Sequence, residues 1–432
     1  MPSDLRENLP RKLGIWGLWL LAVNGLIGAG IFGLPSTAAK LAGEYSPLIY
    51  LLCSLLIFPI VLCFAELASY FRNTGGPVRY SKEAFGDLIG FEVGWLYYVS
   101  RVVAFAANSA LLLDSIGYFW NDITDGAERI VLLALICGAL TFINVIGSVH
   151  AIRSLATLTV IKIAALFLLI VVGAGQLGEE IIPRFEGTMP SANDIGLAAL
   201  LLTYAYGGFE LASIPAGESH NPARHMPLAL LLAIGGVATL YFFIQIVSLA
   251  AVPDIASSST PLLDAANVLM GPIGLIFLIL GIIASVGGNL AASMFTTPRI
   301  TYTLALDGVL PRWFGMVHEK LRTPANSIIF FGLLSFLLAI FGSFVWLAAT
   351  SVFSRVLVYM LTCAAVPRLR ARYSENGGFV LPGGYLIPIL GIGTSAWLML
   401  QVSKDSFLFT ILLILVGSGF YIVARHQRIK ET

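Results

Sequence analysis

Two runs of the chain place glycine in the middle of apolar stretches. They are Val23-Asn24-Gly25-Leu26-Ile27-Gly28-Ala29-Gly30-Ile31-Phe32-Gly33-Leu34-Pro35 and Leu202-Thr203-Tyr204-Ala205-Tyr206-Gly207-Gly208-Phe209-Glu210-Leu211. Glycine is a poor helix former, so each run is expected to interrupt a helix and free backbone N–H and C=O groups that lipid cannot satisfy. A freed N-terminal end carries partial positive charge suited to a carboxylate. Freed carbonyls suit an ammonium or a metal cation, so the pair matches the zwitterionic backbone of an amino acid. The alternative is that Gly28, Gly30, Gly207 and Gly208 only permit close packing, as Gly86, Gly90 and Gly94 would at i, i+4 spacing.

Charged residues inside apolar stretches are expensive and need a reason. Lys162 lies nine residues past Arg153, roughly 13 Å along a helix and near half of the bilayer's apolar thickness of about 30 Å. Snorkelling is strained at that depth, so a coupling or site-supporting role is expected. Glu210 follows the second break; it is either a proton-responsive carboxylate or the structural partner of a buried cation. Arg101 and Arg355 either pair with Glu210 or Glu66 or face a water-filled path, which leaves the charge of the substrate's side chain open. Tyr204 and Tyr206 flank the second break as a gate over a ligand, and of the adjacent Tyr97 and Tyr98 at most one faces the site, Tyr97 being the candidate. Packing or interface roles are the alternative for each tyrosine. Ser285 and Asn289, four apart, share a helix face for ligand contact or for helix–helix hydrogen bonds.

The elements that must position these residues follow from composition. Of 432 residues, 58% are apolar and 11% charged, with mean hydropathy +0.88. Soluble domains carry roughly 25% charged residues, so a water-soluble enzyme is excluded. The net charge of +1 gives no general attraction to nucleic acid. Long apolar runs predict twelve spans at 14–42, 46–71, 88–119, 130–147, 151–174, 194–216, 226–250, 272–305, 325–342, 344–366, 384–402 and 406–424, with Pro47 and Pro227 near helix starts. The first is read as a retained membrane helix rather than a signal peptide. Eighteen Lys and Arg fall in loops on one side, four on the other and three (Arg101, Lys162 and Arg355) within spans. The split predicts an even number of spans with both termini cytoplasmic.

The remaining polar chemistry is sparse. Cys53, Cys63, Cys137 and Cys363 lie in apolar stretches without a C-x-x-C pair, so neither disulfides nor a zinc site is expected. All five histidines fall in loops or the tail without His-Glu-x-x-His spacing, so a metal-dependent membrane enzyme has no site. No Gly-Lys dipeptide exists to build a phosphate-binding P-loop, and no filter-like repeat suggests a channel. No cofactor is expected.

The two breaks lie 179 residues and five spans apart, so the second half inserts upside down relative to the first. Paired glycine-interrupted segments at corresponding positions are the best sequence pointer to a secondary transporter's binding site. The sequence resembles the amino acid–polyamine–organocation superfamily at Asn24-Gly25-Leu26-Ile27-Gly28-Ala29-Gly30-Ile31-Phe32, Asn73-Thr74-Gly75-Gly76-Pro77-Val78-Arg79-Tyr80, Tyr206-Gly207-Gly208-Phe209-Glu210 and Gly217-Glu218-Ser219-His220-Asn221-Pro222. Arg299-Ile300-Thr301-Tyr302 and Asp307-Gly308-Val309-Leu310-Pro311 complete the set. The resemblance implies an all-α membrane protein with a five-plus-five inverted repeat, LeuT-like, plus two C-terminal helices. The expected division is a cytoplasmic segment at 1–13, repeats at 14–174 and 194–366, a helix pair at 384–424 and a cytoplasmic tail at 425–432. The resemblance further implies amino-acid uptake or exchange in the cell membrane, with Ile27, Gly28, Ala29, Gly30, Ile31, Tyr206, Gly207, Gly208, Phe209 and Glu210 lining the site. Lys162 is implied to stand where sodium-coupled relatives hold a cation, leaving protons or exchange to drive the cycle. A polyamine or other organic cation is the alternative substrate.

Overall fold

A computed structural model describes residues 14–71, 76–120, 126–146, 155–181, 183–213, 219–373 and 378–429. The segment 1–13, residues 72–75 of the first loop motif, Gly217, Glu218, and residues 430–432 of the tail lie outside the described residues. The regular structure is helical, with no strand among the described residues. In chain order the helices are α1 (Ile15–Leu26), α2 (Gly30–Gly33), α3 (Pro35–Ala42), α4 (Ser46–Tyr70), α5 (Gly76–Phe85), α6 (Asp87–Gly117), α7 (Gly126–Val145) and α8 (Leu155–Leu177). Then come α9 (Ala192–Ala205), α10 (Pro222–Ala251), α11 (Pro261–Ile282), α12 (Gly288–Thr296), α13 (Pro298–Leu306), α14 (Ala325–Phe341), α15 (Phe344–Tyr373), α16 (Leu386–Met399) and α17 (Lys404–Ile429).

Nine helical segments among the described residues are long and apolar enough to cross a membrane, and α9, α14 and α16 are shorter apolar helices. A buried axis is formed by α6 and α15, which pack together along much of their lengths, while α4 lies against α10. The outer helices present apolar side chains outward, among them Leu135 and Phe142 on α7, Val160 and Phe167 on α8, and Leu412 and Leu415 on α17. In water such a surface would drive aggregation; it is what a lipid-facing surface requires. The chain is a multi-pass integral membrane protein.

Both expected interruptions are present. Between α1 and α2 the helix opens at Ile27, Gly28 and Ala29, and beyond α9 it opens at Tyr206, Gly207 and Gly208 before a 3₁₀ turn at Phe209–Ser213. Three details depart from the sequence-based layout. Helical structure before the eighth span begins at Pro261 rather than 272, with a kink at Gly271 (φ 60°, ψ −154°) and Pro272 that sets a separate helical piece ahead of it. The connection before the third span carries the amphipathic helix α5, which buries Pro77, Tyr80 and Ser81 and has no long apolar run to reveal it. Pro222, not Pro227, opens α10, and Pro227 lies inside that helix.

Within the eighth span a π turn at Ile283–Gly287 joins α11 to α12. The proposed glycine stripe also divides. Gly90 packs on Lys82 and Gly94 on Val78 and Leu304, but Gly86 has open space around it and a φ of 92°, so it serves the turn entering α6.

Candidate functional site

The two broken helices meet backbone to backbone. A Cβ on Gly25 would collide with the Gly208 carbonyl, and one on Gly208 with the carbonyl of Gly25. Gly208 also has a φ of 108°, a conformation that only glycine adopts freely. A Cβ on Gly30 would stand 2.6 Å from Ala205 Cα. Close packing thus explains Gly25, Gly30 and Gly208. It does not explain Gly28, whose Cβ would meet only Asn289 Nδ2 at 3.5 Å; Gly207 makes room not for another backbone but for the Arg355 guanidinium, with which its Cβ would collide.

The carbonyls freed at the breaks are sealed by side chains. Lys162 Nζ, fully buried on α8, donates to Asn24 Oδ1 (2.8 Å), Asn24 O (3.1 Å) and Ile27 O (2.7 Å). Ser285 of the π turn donates to the same Ile27 O at 2.9 Å, and Thr159 donates to Asn24 Oδ1 at 3.2 Å. Tyr241 on α10 donates to Leu26 O (2.9 Å) and lies 3.2 Å from Ala205 O, so it bridges the ends of α1 and α9. The cation therefore sits at the C-terminal end of α1, where the helix dipole favours it.

The N–H ends of the first break are different. Ala29, Gly30 and Ile31 donate to no acceptor among the described residues. Ala29 and Gly30 line a small cavity together with Gly25, Leu26, Gly28, Arg101, Ala104, Asn108, Tyr204, Gly207, Asn289 and Arg355. The cavity spans about 300 Å³ counted to its open mouth. A hydrogen-bond chain runs along its wall. Tyr204 donates to Asn108 Oδ1 (2.8 Å), Asn108 Nδ2 to Asn289 Oδ1 (3.0 Å), Ser293 to Asn289 Oδ1 (3.4 Å), and Arg101 Nη2 to Ser293 Oγ (2.6 Å).

Glu210 faces away from this cavity. Its Oε2 accepts from Gly208 N (2.9 Å) and Tyr359 OH (3.0 Å), and its Oε1 lies 3.8 Å from Arg355 Nε. Both members of that ion pair are buried. Of the two readings of Glu210, this geometry favours the partner of a buried cation. Glu66 belongs elsewhere: Arg370 grips it through two 2.7 Å bonds, while Tyr70 and Leu381 N also donate to it.

Among the expected site residues, Gly28, Ala29, Gly30, Tyr204, Gly207 and Asn289 converge on the cavity. Ile27, Lys162 and Ser285 hold the break behind it. Several others turn away. Tyr206 donates to Tyr50 O at 2.8 Å and packs edge-on against Tyr241, so in this conformation Tyr204 alone of the flanking pair borders the cavity. Phe209 packs on Phe64 and Tyr359, and Ile31 is fully buried in the apolar core. Tyr97 does not line the cavity: its ring is buried beside Val93, Leu96 and Val358, and its hydroxyl, without a hydrogen-bond partner among the described residues, lies within electrostatic reach of Glu210, Arg101 and Arg355; Tyr98 stacks on Trp95.

Sequence reasoning missed Asn24, Asn108, Tyr241 and Ser293. A signal existed for two of them: Arg101, Ala104 and Asn108 recur at helical spacing on α6, and Ser293 extends the Ser285, Asn289 stripe by one more turn.

The amino acid permease family model matches residues 13–426 of this chain. The chain is 26% identical to the methylthioribose transporter of Bacillus subtilis over 96% of its own length and 93% of that protein. It is also 26% identical to the serine/threonine exchanger SteT of B. subtilis, covering 91% of each. Against the branched-chain amino acid permease BcaP of the same organism it is 24% identical over 98% of this chain and 96% of the relative. Among solved structures it resembles MhsT in complex with L-phenylalanine, with a TM-score of 0.65, 17% identity, and coverage of 91% of this chain and 98% of that one. That likeness gives the LeuT-like fold.

Proposed function

This chain belongs to the amino acid permease family, as a secondary transporter of amino acids, and from that premise we propose that it works by alternating access without sodium, driven by exchange or by protons. The observation that carries the reading is the buried Lys162 ammonium on the carbonyls of Asn24 and Ile27. The Lys162 amine already fills the place at the C-terminal end of α1 where a bound cation would go. The substrate carboxylate is assigned to the free N–H groups of Ala29, Gly30 and Ile31, beside Asn289, with Tyr204 covering the cavity. The relatives' names span a sugar derivative, hydroxyl amino acids and branched-chain amino acids, so the substrate must be read from this chain's own residues.

The expected twelve spans, the repeats at 14–174 and 194–366, the location in the cell membrane and the cytoplasmic termini are part of the same proposal, supported by the charge split among loops. An organic-cation carrier is the second reading. Two arginines on the cavity wall oppose it, since like charges repel strongly where water is excluded.

Counterflow of labelled amino acids into proteoliposomes tests the cycle. Equal uptake in potassium and sodium buffers is expected, and a strict sodium requirement would overturn the role given to Lys162. Putrescine and other amines lacking a carboxylate are expected to leave amino-acid uptake unchanged. Imposing a proton gradient across vesicles with no internal amino acid separates the two driving forces, because an exchanger stays silent there.

A further inference from the structure

We infer that the site takes an amino acid with an anionic side chain, held between Arg101 and Arg355; this rests on the transporter reading above and names its substrate class. Both guanidinium groups line the cavity, Arg101 being 4% exposed and Arg355 3%. Arg101 has one partner among the described residues, the neutral hydroxyl of Ser293. Arg355 has a weak contact to Ser351 Oγ at 3.5 Å. Its ion pair with Glu210 is 3.8 Å long, and its Nε makes no hydrogen bond. Glu210 spends its other oxygen on Gly208 N and Tyr359.

Among the described residues the charges near the cavity are therefore two guanidiniums against one carboxylate, and no described carboxylate lines the cavity itself. Lys162 cannot relieve this, since it is a third cation and lies behind the break. A buried charge without a counter-ion is strongly disfavoured, so the missing negative charge must come from what binds. A neutral zwitterion leaves the excess in place, and a basic amino acid adds to it. One further anionic group cancels it, and planar guanidinium forks match carboxylates and phosphates well. The acceptors that would hold a cationic side chain are scarce, because Lys162, Ser285 and Tyr241 already occupy the carbonyls of Asn24, Leu26 and Ile27.

The test is binding to the purified full chain, read by thermal shift and by competition in counterflow. L-Aspartate, L-glutamate and O-phospho-L-serine are compared with L-asparagine, L-glutamine and L-serine. One of the anionic probes is expected to bind about ten- to a hundredfold more tightly than its neutral counterpart, and which one does so separates carboxylate from phosphate. Arg101→Gln is expected to bring that ratio towards one. If this variant does not fold, the ratios measured on the unaltered protein decide alone. Neutral amino acids binding as well as or better than the anionic ones overturn the inference while the transporter reading stands. Binding of no amino acid at all overturns both.

Discussion

Lys162→Met is expected to abolish transport and, in the same protein, to lower the melting temperature. Methionine fills much of the lysine's volume but donates nothing, and the backbone carbonyl of Asn24 loses its side-chain donor inside the membrane. Ile27 O keeps Ser285, and Asn24 Oδ1 keeps Thr159, so the loss is that of one buried acceptor together with a charge placed at a helix end. A buried acceptor left unpaired costs about 1–3 kcal/mol, and the helix-end charge adds up to about 2 kcal/mol. The transport defect is expected to exceed the stability defect, because the end of α1 that shapes the cavity is what comes loose. A melt in detergent alongside counterflow measures both, and a methionine variant that transports at the normal rate would remove Lys162 from the mechanism.

The second large effect separates two kinds of glycine. Gly208→Ala is expected to prevent stable folding, since its Cβ must enter the Gly25 carbonyl from a backbone conformation that alanine avoids. Gly28→Leu is expected to insert and fold but to lose substrate binding, because its Cβ makes only an ordinary contact with Asn289 and its side chain enters the cavity where the ligand belongs. Gly207→Leu is expected to abolish binding as well, by displacing Arg355. Monodisperse yield reports the first outcome and thermal shift the others. Gly28→Leu protein that binds amino acids normally would show that this cavity is not the substrate site.

These glycines also show how far residue types alone could lead. The positions of the breaks were readable because glycine's helix penalty acts locally. Which glycine serves packing and which opens space depends on the facing chain, and Gly25 gave no hint that it meets Gly208. Lys162 was readable because a charge so deep in an apolar run demands a partner, but the run did not name Asn24 as that partner. Tyr206 and Phe209 turn from the cavity for a geometric reason. The backbone between α9 and the 3₁₀ turn leaves helical phase at Gly207 and Gly208, so neighbours in sequence point to different sides. Hydropathy likewise found the long spans but not α5 or the helical piece at 261–270, whose apolar faces are too short to stand out from connecting segments.

The wide turn at Ile283–Gly287 sets the phase of the eighth span beyond it. A π turn takes up one residue more than a regular helical turn, so winding the same residues as an unbroken α-helix would rotate everything downstream by about 100°. Asn289 and Ser293 would swing off Asn108 and Arg101, although every residue of the cavity wall would still be encoded. The cavity wall is thus defined by how one turn is wound as well as by which residues the span carries.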